Sequence, residues 1–146
     1  MQPFPHHYRV SASAVPEGDV TLTSERLPDL ASAPPEEFDG PGDRWSPETL
    51  LVAAVADCFI LTFHSIASIA KLPWISLACE VGGTVDRIDR VTQFTSLTIR
   101  PRLVVAPGAD REQALRLLGK AESGCLVSNS LKSAIHLEAD VITSEA

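Results

Sequence analysis

The sequence predicts an α+β domain in which a mainly antiparallel sheet carries a long buried central helix and a second helical segment on one side. Three observations predict it. A helix start at Ser46-Pro47-Glu48 leads into a nearly continuous apolar run, residues 75–88 and 92–105 read as two strands, and a second helical stretch from Asp110 precedes a closing strand. The 146 residues suit one domain, 1–146, with a single core, and 45% hydrophobic against 21% charged residues is too apolar for a disordered chain.

In chain order, residues 7–15 place Tyr8, Val10, Ala12 and Ala14 on one side of an alternating segment. A Pro-Glu-Gly-Asp turn then leads to residues 19–24, so an opening hairpin is expected. Residues 27–45, crowded with Pro and Gly between Leu27 and Gly42, read as a loop of the kind that walls a site or a partner surface. Ser46 offers a capping hydroxyl, Pro47 suits the first helical position, and Glu48 faces the helix dipole. This helix should run to about Ala70, buried on most sides because Leu50 to Ala56 are apolar around the circumference, and Leu72-Pro73 ends it.

Ile75, Leu77, Cys79 and Val81 alternate with Ser76, Ala78 and Glu80, and 92–105 is rich in β-branched residues around Leu97, Ile99, Leu103 and Val104, so two paired strands are expected. Asp110 caps a helix to about Glu122, Ser123-Gly124 breaks it, residues 126–132 form a short helix, and Ile135, Leu137, Ala139 and Val141 close the sheet.

A net charge of −7 without a Lys/Arg-rich stretch argues against nucleic acid. The N-terminus MQPFPHHYRV lacks a signal-peptide pattern, and Asp57 and His64 interrupt the longest apolar stretch, so a cytoplasmic protein without a membrane span is expected. Three cysteines argue against a secreted disulfide framework. His6, His7, His64 and His136 show no ligand spacing, and neither metal nor cofactor is expected. Trp45 and Trp74 bracket the long helix as end packing.

Cys58 falls inside the apolar helix, where a cysteine is either a small core hydrophobe or a reactive thiol in an unusual place. Cys125 follows Ser123-Gly124 at the start of a short helix, where free amides favour a thiolate; a role-free capping position is the alternative. Cys79 lies on the apolar side of its strand and reads as core.

The segment SPETLLVAAVADCF (46–59) resembles the OsmC/Ohr signature, and AESGCLVSNSL (121–131) resembles that family's second-cysteine motif. The resemblance covers nearly the whole chain, loosely over the first 45 residues. It implies an OsmC-like fold, an intertwined homodimer with two interfacial sites, and a thiol-dependent peroxidase acting on organic hydroperoxides. By the same resemblance Cys58 is the peroxidatic cysteine, Cys125 resolves its sulfenic acid as a disulfide, and a small dithiol or lipoyl-type reductant reopens it.

Glu48 matches the family glutamate that holds an arginine against the thiolate. Ten helical residues at about 1.5 Å each separate Glu48 from Cys58, so Glu48 would serve the other subunit's cysteine or simply stabilise the helix start. No arginine stands where the family has one; Arg44 and Arg26 are the candidates to replace it. Without that cation, the alternative is an OsmC-like redox sensor or hydrophobic-ligand-binding protein with weak or no peroxidase activity.

Overall fold

The computed structural model describes residues 1–145. Its contacts divide the chain into two compact units, one comprising Met1–Leu50 and the other beginning at Leu51.

In the first unit, β1 (Ser11–Ser13), β2 (Val20–Thr23) and β3 (Leu30–Ser32) form an antiparallel sheet in that order. The opening hairpin is present, with Gly18 supplying a φ of 105° in its turn. The stretch read as loop contains a third strand, β3, paired with β2 from Leu22↔Leu30 to Val20↔Ser32. Only three residues long, it is too short to leave a period-2 signature among prolines. A single 3-10 turn follows at Glu36–Phe38. Gly40 is required there, because a Cβ would stand 1.6 Å from the Pro34 carbonyl oxygen.

Helix α1 (Pro47–Ala70) starts where the sequence places it. Its cap is reciprocal: the Thr49 N–H donates to Ser46 Oγ at 3.1 Å, and the Ser46 N–H donates to Thr49 Oγ1 at 2.9 Å. It ends on Lys71 in the left-handed region (φ 55°), with the Leu72 N–H bonded to the Ala67 carbonyl at 3.1 Å and the Lys71 N–H to that of Ser68 at 3.3 Å. Pro73 then precludes any return to helix.

In the second unit, β4 (Trp74–Ile88) and β5 (Val91–Val105) form one long antiparallel hairpin, turned by Asp89 and Arg90 at φ 50° and 68°. Leu97, Ile99, Pro101, Leu103 and Val105 alternate into the core along β5. The chain then crosses over through α2 (Arg111–Gly124) and α3 (Leu126–Asn129) and returns parallel to β5.

The closing strand is two strands: β6 (Ala134–Leu137) pairs with Ser96–Ile99, and β7 (Asp140–Thr143) pairs with Arg102–Val105. The gap lies opposite Arg100-Pro101, where proline has no N–H to donate, and Arg100 Nε instead meets Glu138 Oε2 at 2.8 Å. The short helix also ends earlier than the expected Lys132, at Asn129.

Asp110 caps α2 by accepting from the Glu112 and Gln113 N–H groups at 2.9 and 3.2 Å. Ala114, Leu117, Leu118 and Ala121 form its buried stripe. They join Val55, Phe59, Phe63 and Ala67 of α1 and the inward residues of β5 in one cluster.

The expectation that α1 is buried on most sides is corrected. Its only fully buried residues form a stripe at every fourth position, Val55, Phe59, Phe63 and Ala67, while Leu61 and Ile69 are 60% and 85% exposed. A helix lying on a single sheet and one neighbouring helix can bury only the stripe that faces them. By length and composition alone α1 could cross a membrane, with a window of mean hydropathy 2.0; its aromatic stripe instead packs into the core.

Trp74 stacks edge-on against Phe63 with ring centroids 5.4 Å apart, helix-end packing as expected, whereas Trp45 is 47% exposed. Phe63→Ala is expected to lower unfolding stability by about 3–5 kcal/mol in urea denaturation followed by circular dichroism, because the site cannot collapse around a fully buried ring. Leu115→Ala, on the outer face of α2, should cost less than about 1 kcal/mol.

Candidate active site

Cys58 lies eleven residues past Pro47 on α1, half-buried, at the floor of an apolar groove of about 500 Å³. Ala54, Leu61 and Ile66 line the groove from α1, and Leu126 and Val127 line it from α3. Cys125 is the one extended residue (φ −69°, ψ 109°) between α2 and α3, fully buried. Its carbonyl accepts the first α3 bond from the Asn129 N–H at 2.9 Å, and Asn129 Nδ2 donates to the Ser123 carbonyl at 2.9 Å, fastening the junction. Gly124 faces Thr62 of α1, where a Cβ would make ordinary contact at 3.5 Å from Thr62 Cγ2.

The two thiols are both free and close enough to interact as donor and acceptor, with opposite consequences. Burial pushes the Cys58 thiol up, but the Val127 N–H, the Cys125 thiol, the Thr62 hydroxyl and the Leu126 N–H together bring it below the ordinary thiol value. Cys125 moves the other way. Burial raises it, Ser128 opposes through its hydroxyl and N–H, and the adjacent Cys58 sulfur raises it further, since two neighbouring thiolates repel. Cys58 therefore ionises first while Cys125 holds its proton.

Thr62 sits one turn after Cys58 and bonds the Cys58 carbonyl at 2.7 Å, with its hydroxyl 3.9 Å from the sulfur. Cys79, on β4, is pushed up to about 11 by burial, with the charge of Cys125 adding to the effect, and stays a thiol across the physiological range. Its expected packing against the core is what the structure places there.

Of the three site residues read from the sequence, the structure brings Cys58 and Cys125 together. Glu48 lies ten residues before Cys58 on the same continuous helix, which keeps the pair roughly 15 Å apart along its axis. Among the described residues, the groups that lower Cys58 are Val127, Cys125, Thr62 and Leu126, none of them a cation. Arg44 is held within the first unit by Asp19 at 2.9 Å and Asp43 at 3.0 Å, and both carboxylates raise its pKa. Arg26 occupies an exposed left-handed turn position, φ 63°.

The expectation that the free amides at the start of the short helix favour a thiolate at Cys125 is corrected: the Leu126 and Val127 amides act on Cys58, and burial with the neighbouring Cys58 sulfur raises Cys125. Thr62 was missed, although its i+4 spacing from Cys58 could have revealed it.

An α+β domain that sets two free, unequally shifted thiols beside each other at a helix junction has the arrangement a dithiol redox site would need. Residues 40–140 match the OsmC family, described as OsmC-like protein, and the chain belongs to that family. It is 30% identical over 107 residues to the uncharacterised protein YmaD of Bacillus subtilis, covering 71% of each chain. It is 29% identical over 118 residues to the organic hydroperoxide resistance protein of Xanthomonas axonopodis pv. citri, covering 78% of this chain and 79% of that one. The solved structure of an OsmC-like protein of unknown function from Vibrio cholerae superposes with a TM-score of 0.85 at 16% identity, over 92% of this chain and 99% of that one.

The reactivity of the two thiols is testable through pH. Because the Cys58 shift is downward, its iodoacetamide alkylation should rise through a midpoint below that of free cysteine, and Thr62→Val should move the midpoint up. Cys79 should resist alkylation until the pH approaches about 11. Mass spectrometry of peptides from a pH series reads all three.

Proposed function

We propose that the chain is a thiol peroxidase that reduces organic hydroperoxides through a Cys58 sulfenic acid and a Cys58–Cys125 disulfide. The observation that carries this reading is the juxtaposition of Cys58, which lines the apolar groove, with the buried Cys125 beside it, the first thiol shifted down and the second up. The Cys58 thiolate attacks a peroxide oxygen, the O–O bond breaks, and the alkoxide leaves and takes a proton as the alcohol. Sulfur is oxidised to the sulfenic acid. Cys125 then gives up its proton and attacks the Cys58 sulfur, releasing water and forming the disulfide. A small dithiol or lipoyl-type reductant reopens the bridge and is itself oxidised to a disulfide, a cycle suited to the reducing cytoplasm.

The groove is lined chiefly by apolar side chains, which favours an alkyl or aryl hydroperoxide over hydrogen peroxide. The exposed apolar face of α1, including Leu61 and Ile69, supports a homodimer in which a second copy covers it. In that assembly Glu48 serves a cysteine of the other subunit. The similarity to the organic hydroperoxide resistance protein of Xanthomonas axonopodis pv. citri supports an organic hydroperoxide as the substrate class.

One observation favours a second reading. Among the described residues of one chain, the groups that lower Cys58 are all neutral donors. A protein activated this way and reacting slowly would be a redox sensor or hydrophobic-ligand-binding protein. Stopped-flow oxidation of the reduced protein separates the two. The peroxidase reading predicts faster thiol loss with cumene hydroperoxide than with hydrogen peroxide, abolished by Cys58→Ser and retained for a single event in Cys125→Ser. Loss no faster than that of free cysteine with either peroxide would leave the sensor reading.

A further inference from the structure

Ser128 stands on α3 three residues after Cys125, a spacing that brings the two side chains onto one face of the chain. It is 4% exposed, and its hydroxyl is buried without a hydrogen-bond partner among the described residues. A buried hydroxyl left unpaired is costly and calls for a role. The usual outlet is the carbonyl four residues earlier, and neighbouring hydroxyls take it. Ser130 donates to the Leu126 carbonyl at 2.8 Å, and Thr62 to that of Cys58 at 2.7 Å. Ser128 does not, so its proton is uncommitted, and its hydroxyl acts on the Cys125 sulfur. A thiol sulfur is a weak acceptor that leaves such a donor all but unpaired, whereas a thiolate is a strong one. Because Cys125 is fully buried, charge on its sulfur must be met by protein donors in place of water.

We propose that Ser128 is a positioning residue for Cys125, donating its hydroxyl proton in a hydrogen bond to the Cys125 sulfur as that sulfur becomes a thiolate and attacks Cys58. The inference rests on the reading of Cys125 as the thiol that resolves Cys58. In the peroxide cycle the Cys125 S–H bond breaks, an S–S bond forms to Cys58, and the S–O bond of the sulfenic acid breaks. The departing hydroxide leaves with the Cys125 proton as water, and Ser128 keeps its own proton throughout. Ser128 thereby sets how long the sulfenic acid waits, and so how often a second peroxide reaches it and makes the sulfinic acid.

The test uses the reduced full chain and one equivalent of the aromatic disulfide dithiobis(nitrobenzoate), which requires no peroxide. Attack by Cys58 releases one coloured aryl thiolate and leaves the other on Cys58 as a mixed disulfide. Attack by Cys125 on the Cys58 sulfur then releases the second. In stopped flow, Ser128→Ala is expected to slow the second release about three- to tenfold at neutral pH and to displace its midpoint to higher pH, with no slowing left above both midpoints. The first release, which belongs to Cys58, should be unchanged. Excess cumene hydroperoxide should leave more Cys58 as sulfinic acid in Ser128→Ala than in the parent protein. The same second-release rate and midpoint in both proteins, no second release in the parent, an equal slowing of both releases, or a deficit that persists at high pH would overturn the inference. A parent that resolves the mixed disulfide in a Ser128-dependent way yet loses no thiol to peroxide would overturn the peroxidase reading and leave this one standing.

Discussion

A thiolate in the middle of a helix must find its stabilising donors off that helix. Every backbone N–H around Cys58 is already committed to a carbonyl four residues earlier, so apart from Thr62 the turns of α1 have nothing to offer the sulfur. Much of the second unit bears on that constraint. The break between α2 and α3 turns the first amides of α3, at Leu126 and Val127, toward Cys58, and the same break places the Cys125 thiol beside it. One local irregularity thus supplies both the means of ionising one cysteine and the partner that could capture its oxidised form.

The sheet determines where that irregularity lies. Strand β5 is the spine, paired with β4 along its length and with β6 and β7 in succession. The crossover from β5 through α2 and α3 to β6 lays the α2 stripe of Ala114, Leu117, Leu118 and Ala121 on the same core as the α1 stripe. Close packing on a shared core leaves little freedom in the approach of α1 to the helix junction, where Gly124 faces Thr62. Pro101 interrupts the parallel edge without disturbing the antiparallel one, where it pairs with Cys79.

Where a physical rule has a residue signature, the sequence was a good guide. Ser46-Pro47 marked the start of α1, Asp110 that of α2, and alternation marked the long hairpin. Strand β3 escaped because three residues between prolines carry no period, and the β6–β7 break escaped because its cause, Pro101, sits on a different strand. The burial of α1 was overread: an apolar circumference shows that a helix avoids water, and says nothing of whether its own chain covers it. At the site, the cysteine pair was legible from its two motifs. Which cysteine the Leu126 and Val127 amides serve was not, because the sequence shows that a helix starts after Cys125 and not that its first amides face Cys58 on another helix, and Thr62 is marked only by its i+4 spacing.

The central claim is that Cys58 and Cys125 form one dithiol from which Cys79 is excluded, although all three are cysteines of the same unit. Peptide mass mapping after oxidation of the reduced protein with one equivalent of cumene hydroperoxide tests it most directly. The account predicts a single intramolecular bridge, Cys58–Cys125, with Cys79 recovered as a free thiol. A bridge containing Cys79, or a Cys58 oxidised to sulfinic acid with Cys125 still reduced, would contradict it.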